Sequence, residues 1–259
     1  MRMKREREPA TPLRPAPGAR PTRGPQPAFS RDSIAAAAVK IADAEGIEAV
    51  SIRRVAVEIG SGATSLYRYI SKKNELLDLM ADAVLPKYTL PKSSGNWRKD
   101  LKKIAFQNRK MILEHPWMIS ISAFRSSLGL NTLHWLEVTL HVLDDHGLNI
   151  DEMIVVSNTL LAFAKGYAAG EIAEREASRL SGLSREQWMS SRAHHTRAIL
   201  ETGEFPMFSR IVKDAAAPHD PQSAEHGFSL GLDHILDGVE VRISHAAIRR
   251  VRKPAPDPR

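Results

Sequence analysis

The sequence predicts an all-α protein, with an N-terminal three-helix helix-turn-helix domain followed by a larger C-terminal helical domain. Two observations predict this fold class. Apolar residues recur every three or four positions in several segments, whereas the alternating pattern of β-strands is scarce. The chain of 259 residues, 42% of them hydrophobic, can bury a sizeable core and exceeds the length of most single domains.

The first predicted helix begins after Ser30, a good N-cap residue, and ends at Gly46. Apolar residues at helical spacing form its inner face: Ile34, Ala37, Ala38, Ile41 and Ala42. A short second helix begins after Ser51 and ends at Gly60, which permits the left-handed conformation of a helix end. Its inner face consists of Ile52, Val55, Ala56 and Ile59.

A turn at Ser61-Gly62 leads into another short helix, from Ala63 to Ile70, with Leu66 and Ile70 facing inward. The two short helices and this turn make a helix-turn-helix. The next helix follows Ser71 and is closed by Pro86, with its apolar face at Leu76, Leu77, Met80, Ala83 and Val84.

Further helices are predicted in the second half of the chain. Asn149 to Glu152 and Ser184 to Gln187 have the spacing of capping boxes. The weakly charged residues 153–169 are too few and too polar to span a membrane comfortably, so we expect a buried helix. Near the end an apolar seam suits packing against another helix and consists of Phe228, Leu232, Ile235, Val239 and Ile243.

The net charge of +7 is concentrated at the two ends of the chain. Residues 1–29 hold seven basic and two acidic residues together with seven of the sixteen prolines, and residues 246–259 hold five basic residues and one acidic residue. Neither segment can bury enough apolar surface to order itself, so we predict two disordered basic tails. Residues 30–245 carry −2, and the overall charge is therefore no argument for nucleic-acid binding.

The helix-turn-helix is strongly basic within this slightly acidic body. Residues 51–73 hold five basic residues (Arg53, Arg54, Arg68, Lys72 and Lys73) and one acidic residue, Glu58. The second short helix exposes hydroxyls and a guanidinium, which suit phosphate oxygens and the base edges of a major groove. A solvated basic turn between core helices is the alternative, and composition alone leaves both open.

Residues 30–85 resemble the DNA-binding domain of the tetracycline-repressor (TetR) family of transcriptional regulators. The resemblance runs through residues 34–46, 50–60 and 64–77, and includes a Leu-Tyr-x-Tyr/His-x-x-x-Lys core followed by Glu-Leu-Leu. Asn96-Trp-Arg98, Glu114-His-Pro-Trp117 and the segment 231–238 resemble the effector domain of the same family. The resemblance implies a DNA-binding domain at 30–85 and an effector-binding and dimerisation domain at 86–245.

In this family the second short helix enters the major groove, and a dimer places two such helices about one DNA turn apart. Carried onto matching positions, the resemblance assigns base-edge contacts to Arg53, Ala63, Thr64 and Ser65, phosphate contacts to Ser51, Tyr67, Tyr69 and Lys73, and either contact to Arg68. The turn Ser61-Gly62-Ala63 is smaller than the usual Val-Ser-x or Val-x-Pro turn, which leaves the operator sequence and the role of Ala63 open.

The resemblance also implies a cavity for a small molecule after Pro86. Apolar and aromatic candidates for its lining are Phe106, Met111, Trp117, Phe124, Trp135, Phe163 and Tyr167. Polar candidates that would orient the molecule are Asn108, His134, Asn158 and Thr159. Each of these residues suits ordinary core or surface equally well, so the set indicates a pocket without identifying its ligand.

We expect neither metal, cofactor nor enzymatic activity. The pair His194-His195 is adjacent, and His141 and His146 are five apart, so neither pair has the spacing of helical metal ligands. The chain has no nucleophile elbow, phosphate-binding loop or zinc-protease motif. The spacing of Gly166 and Gly170 indicates close helix packing. The absence of cysteine and of a secretory signal predicts a cytoplasmic protein outside the membrane.

These observations predict a ligand-responsive transcriptional regulator, expected to be a repressor. It would bind double-stranded operator DNA as a homodimer and leave it when a small-molecule effector binds. The dimer surface is expected at residues 153–169 and 227–243, although packing within one chain would explain the same pattern. A helical small-molecule-binding protein without specific DNA readout is one alternative, and an all-α enzyme is another.

Overall fold

The structure, a computed structural model, describes residues 29–121, 129–215, 220 and 222–252, with side chains up to residue 246. Within these ranges the chain is helical and contains no strand, which confirms the all-α prediction. The helices are α1 (Arg31–Glu45), α2 (Ile52–Glu58), α3 (Ala63–Leu66), α4 (Lys73–Val84), α5 (Trp97–Glu114), α6 (Leu130–Leu143), α7 (Ile150–Ser181), α8 (Arg185–Glu201), α9 (Pro206–Asp214) and α10 (Ser223–Arg252). The predicted tail before residue 29 and the candidate Phe124 lie outside the described residues.

One compact unit contains α1 to α4 and the beginning of α6. Helix α1 packs on α4, and α2 packs on α3. Their core is fully buried and includes Ile34, Ile41, Val55, Leu66, Ile70, Leu76 and Met80. Local caps define the helices: Ser30 accepts from the amide of Ser33 at 3.1 Å, and Gly46 ends α1 with φ of 87°.

The other unit is built on α5, α7 and α10, which pack on one another. Its core includes Leu101, Ile104, Leu143, Leu160, Phe228, Leu232 and Leu236. Helix α10 approaches α7 closely, because a Cβ atom at Gly231 would lie 2.9 Å from the ring of Phe163. Helices α8 and α9 bury none of their residues. Both predicted capping boxes, at Asn149 and at Ser184, are present.

Three element boundaries differ from the sequence prediction. Helix α3 ends at Leu66, because the next residues form a tighter turn in which the Tyr69 amide donates to the Leu66 carbonyl at 2.8 Å. Helix α7 extends well beyond residue 169, to Ser181, where Gly182 ends it with φ of 68°. Helix α10 continues through Arg252, so residues 246–252 are helical where the sequence predicted the start of a disordered tail. No helix in the described part of the chain is long and apolar enough to cross a membrane.

Candidate nucleic-acid interface and ligand cavity

The helix-turn-helix is fixed by backbone and cap hydrogen bonds. The Ser51 hydroxyl oxygen accepts from the Arg54 amide at 3.1 Å and begins α2. Gly60 ends α2 with φ of 69°, a conformation that residues with a side chain rarely adopt. The Ser61 amide then donates to the Ala56 carbonyl at 2.8 Å. These contacts set the position of α3, which follows directly.

Helix α3 is anchored from one side only. Leu66 and Ile70 are buried, with 0% and 1% of their surface exposed. The polar side chains on the remaining surface face outward: Ser51, Arg53, Thr64, Tyr67, Arg68 and Lys73 are exposed, while Ala63, Ser65 and Tyr69 are half-buried. The structure therefore gathers all nine predicted DNA-contact residues around the start of α2, α3 and the start of α4.

The charges around this surface are unevenly paired. Glu58 accepts from Lys40 at 2.7 Å and from Arg54 at 3.2 Å, and these hydrogen bonds hold the pKa of Glu58 below its ordinary value. Arg54 also pairs with Glu45 at 2.8 Å. In the ranges that the structure describes, Arg53 and Lys73 have no acidic partner. The unpaired cations are thus left for an anionic partner.

Arg54 was one of the five basic residues counted in the helix-turn-helix from the sequence. In the structure it forms ion pairs within the protein and has a structural role. Its guanidinium holds Glu45 and Glu58 against each other and pins the first turn of α2 to the end of α1. The four-residue spacing of Arg54 and Glu58 on one helix was the signal that pointed to this role. The exposed Lys72, which the site prediction left out, stands beside Lys73 at the same surface.

The other unit holds an aromatic cluster around Phe228. The ring of Phe228 lies 4.9 Å from Phe106, 5.1 Å from Phe163 and 5.5 Å from Tyr167, between ring centroids. The Arg109 guanidinium lies 5.0 Å over the same ring. These contacts join α5, α7 and α10 into one wall.

A cavity of about 1100 Å³ lies beside this cluster. It is formed by the second half of α7 with the beginnings of α8 and α10. Its lining combines aromatic, small and charged residues: Gly166, Tyr167, Gly170, Glu171, Glu174, Arg175, Ala177, Ser178, Ser181, Leu183, Arg185, Trp188, Met189 and Ala224. A volume of this size accommodates a drug-sized molecule.

Comparison with known proteins identifies the family. Residues 34–80 match the family model of bacterial regulatory proteins of the tetR family, and residues 90–243 match the tetracyclin repressor-like C-terminal domain. The second match alone covers more than half of the chain. The protein belongs to the TetR family.

Individual relatives agree with this assignment. The HTH-type transcriptional repressor DrrR1 of Streptomyces coeruleorubidus is 34% identical over 88% of this chain and 83% of its own length. The crystal structure of the TetR family protein ActR of Streptomyces coelicolor in complex with actinorhodin superposes with a TM-score of 0.66. It is 29% identical and covers 81% of this chain and 94% of that one. The chain is accordingly a ligand-responsive, DNA-binding transcriptional repressor of the TetR family.

The residues expected to line the ligand site are scattered in the structure. Asn108, Met111 and Trp117 are buried, and Phe106, Trp135, Phe163 and Tyr167 are half-buried, while His134, Asn158 and Thr159 are exposed. Tyr167 belongs to the cavity lining, whereas Phe106 and Phe163 lie outside it. Phe163 contacts Tyr167, and Phe106 contacts Phe228. The exposed Thr159 donates its hydroxyl to the Val155 carbonyl of its own helix at 2.8 Å.

Most of the cavity lining was missed by the sequence analysis. Glu171, Glu174 and Trp188 lie beyond residue 169, where the predicted helix ended, although α7 continues for three more turns. The available signal was the absence of any glycine or proline between Gly170 and Gly182. Among the described residues no group of three His, Asp or Glu side chains is placed to hold a metal ion.

Proposed function

We propose that this TetR-family repressor contacts its operator as a homodimer through α3 and the starts of α2 and α4. The observation that carries the proposal is the outward surface of hydroxyls and of cations without acidic partners in the described ranges, on α3 and the turn after it, which are anchored by Leu66 and Ile70. Phosphate oxygens are the anions that such a surface binds, and base edges in the groove add sequence specificity.

The individual roles follow from side-chain length and position. Ala63, Thr64 and Ser65 form the start of α3, the end of a recognition helix that contacts base edges, and Arg53, in the first turn of α2, would add a longer side chain to these contacts. Ser51 at the start of α2, Tyr67 and Tyr69 in the turn after α3, and Lys73 at the start of α4 would hold the backbone phosphates. Arg68, on the exposed turn after α3, would contact either a base edge or a phosphate.

We propose that the effector binds in the cavity beside the aromatic cluster. ActR was crystallised with actinorhodin, and two tetracycline repressor proteins, of classes D and H, are 20% identical over 83% of this chain. An effector lowers operator affinity if it binds better when the two DNA-contacting units of the dimer are at a separation that does not fit the operator. The operator DNA then lowers effector affinity by the same factor. Typical couplings correspond to a change of about 5–150-fold.

The curated relatives are transcriptional regulators, and we propose the same non-enzymatic role here. A bacterial regulator acts where the chromosome lies, so we propose a cytoplasmic protein. The domain division proposed is operator binding by residues 30–85 and effector binding with dimerisation by residues 86–245.

Two variants test the DNA interface, measured by mobility shift on DNA from upstream of the protein's own gene and on unrelated DNA. Lys73→Ala is expected to weaken binding to both DNAs equally and to lower the slope of log affinity against log salt by about 1, because Lys73 contacts phosphate. Arg53→Ala is expected to reduce the preference for the operator by about 1–3 kcal/mol, because Arg53 contacts base edges.

Lys110→Ala is the matched control, because Lys110 is an exposed lysine of α5 that pairs with Glu114 at 3.8 Å. It should leave both affinities and the salt slope unchanged. The proposal is wrong if Lys73→Ala and Arg53→Ala bind both DNAs as the native protein does.

A further inference from the structure

Helix α5 carries two rows of basic residues, and the row that faces the other helices of its unit is paired. This inner row consists of Arg98, Lys102 and Arg109. Lys102 pairs with Asp233 of α10 at 2.6 Å, and Arg98 contacts the same carboxylate at 3.1 Å. Arg109 pairs with Glu171 of α7 at 2.6 Å. The inner row is thus neutralised by the helices packed against it.

The outer row lies one residue further along the same helix. Lys99 and Lys103 are each turned by about 100° around the helix axis from the inner-row residue that precedes them. Both are exposed and make no ion pair within the described ranges. Lys110 continues the row, but it pairs with Glu114 at 3.8 Å. Lys99 and Lys103 therefore keep charges that no carboxylate of the described residues compensates.

The segment before α5 brings a third lysine to the same side of the helix. The Tyr88 hydroxyl donates to Glu114 at the end of α5 at 2.5 Å, and the Ser94 amide donates to Asp100 in its first turn at 2.8 Å. The segment therefore runs antiparallel along α5. Both carboxylates lie within about 100° of the outer row around the helix axis, so the segment flanks that row. Lys92 lies on it, is exposed and makes no ion pair in the part of the chain that the structure describes.

The resulting surface is basic and is not neutralised locally. We call three residues the outer lysines: Lys92, Lys99 and Lys103. Residues 88–99 contain no Asp or Glu. The two acids of α5, Asp100 and Glu114, both accept hydrogen bonds from the segment before the helix. Thr89 and Ser93 add exposed hydroxyls on that segment. The surface therefore offers cations and hydrogen-bond donors to an anionic partner.

The residue type favours phosphate over carboxylate as the partner anion. In the inner row, which binds carboxylates, Arg98 and Arg109 are arginines, whose planar guanidinium matches a carboxylate at two points. The outer lysines end in ammonium groups, which are point charges on flexible stems. Such a group accepts a phosphate oxygen from many directions, and lysine is a common phosphate-binding residue for that reason.

The spacing of the outer lysines on α5 fits a nucleic-acid backbone. Lys99 and Lys103 are about 6 Å apart along the helix axis, from a rise of about 1.5 Å per residue. Two phosphate steps along one strand of B-DNA cover about 6.8 Å. DNA is also the polyanion that this repressor binds. Contacts to phosphates fix a protein on the duplex and read no sequence.

We propose that the outer lysines bind the phosphate backbone of DNA beside the operator, as a sequence-independent contact separate from that of α3. The α3 surface reads the operator, and the outer lysines hold flanking duplex of any sequence. Each neutralised phosphate releases counterions, so the contact strengthens binding most at low salt. A repressor with this surface binds an operator within long DNA more tightly than the same operator alone.

Mobility shifts with two duplexes test this proposal on the full-length protein. One duplex holds the footprinted operator alone, in about 20 base pairs, and the other holds it at the centre of about 60 base pairs. The triple variant Lys92→Gln/Lys99→Gln/Lys103→Gln should bind the short duplex as the native protein does. It should bind the long duplex about tenfold more weakly than the native protein at low salt. Its slope of log affinity against log salt on the long duplex should be smaller by about 2.7 for each copy that touches the DNA, because each lost phosphate contact removes about 0.9.

Two controls separate the charge from the fold. The variant Lys92→Arg/Lys99→Arg/Lys103→Arg keeps all three charges and should bind both duplexes as the native protein does. Lys110→Gln removes a lysine of the same helix that already pairs with Glu114, so it should change neither duplex affinity nor salt slope. Thermal unfolding followed by circular dichroism checks that each variant is folded.

Three outcomes overturn the inference. The first is equal binding of the long duplex by the native protein and the glutamine variant at every salt concentration. The second is an equal loss on both duplexes, which would assign these lysines to the operator contact or to the fold. The third is a loss of binding to poly-L-glutamate with no change on the long duplex, which would mark the surface as a site for an acidic protein. The proposed function is tested separately, since Lys73→Ala should weaken binding to the short duplex as well as to the long one.

Discussion

Arg109 shows how one side chain can organise three helices. It lies on α5, pairs with Glu171 on α7 and Glu225 on α10, and places its guanidinium over Phe228. Nothing in the local sequence distinguishes it from the other basic residues of α5, because its partners lie 62 and 116 residues away along the chain. For this reason the sequence predicts a ligand contact for its neighbour Asn108 but none for Arg109.

Arg109→Met is expected to destabilise the protein by about 3 kcal/mol, because it leaves the largely buried Glu171 carboxylate without its cation. Lys110→Met, at the adjacent exposed position, is the matched control and should cost at most about 1 kcal/mol, since exposed ion pairs contribute little. Urea denaturation of both variants at one protein concentration measures the difference. Equal stabilities would show that the Arg109 cluster contributes no more than a surface pair.

At the scale of the element, helix ends were predictable where their caps are local. Ser30, Ser51, Asn149 and Ser184 each accept a hydrogen bond from the amide three residues ahead, as the sequence spacing predicts. The start of α4 differs, because Ser71 supplies an amide and Glu75 does the capping. The Glu75 carboxylate accepts from the Ser71 amide at 2.8 Å and pairs with Arg31 of α1 at 2.7 Å.

The beginning of α6 shows why other ends were not predictable. Asp82 of α4 accepts from the amide of Thr132 at 2.8 Å and from its hydroxyl at 2.9 Å, across 50 residues of chain. Gly129 is required beside it, since a Cβ atom there would collide with the Asp82 carboxylate. A cap supplied by another helix exists only after the chain has folded, so no local motif records it.

Glu75 gives the α4 cap a pH dependence. Burial by itself would raise the pKa of Glu75, but the Ser71 amide and Arg31 outweigh it and hold the pKa below 4.5. A folded-state pKa below the unfolded value contributes stability above pH 4.5, which is lost as the pH falls through the lowered pKa. Glu75→Gln should therefore cost about 1 kcal/mol at pH 7 and progressively less below pH 4.5.

Thermal unfolding from pH 7 to pH 3 checks this expectation, with Glu48→Gln as the control. Glu48 is exposed and makes no ion pair within the described ranges, so its variant should follow the native protein at every pH. A Glu75→Gln deficit that stays constant across this pH range would assign the loss to packing instead of charge.

At the scale of the whole molecule, α7 and α10 leave apolar side chains exposed on neighbouring helices. Val155 on α7 is 62% exposed, and Leu230 and Val241 on α10 are 60% and 53% exposed. All three lie in the segments that the sequence analysis assigned to a dimer surface, 153–169 and 227–243. Apolar groups on two neighbouring helices gain most when a second copy removes them from water.

We therefore expect the native protein to be a dimer at micromolar concentration by light scattering. The double variant Val155→Glu/Val241→Glu should shift it to monomer, because burying unpaired carboxylates in an apolar interface is costly. Val57→Glu is the control for oligomeric state, since Val57 is an exposed valine on α2 with 72% of its surface accessible, outside both segments. Because a dimer offers two copies of α3 to one operator, the monomeric variant should also bind operator DNA more weakly. A native protein that scatters light as a monomer would remove the homodimer from the proposed function, and a double variant that stays dimeric would place the interface elsewhere on the surface.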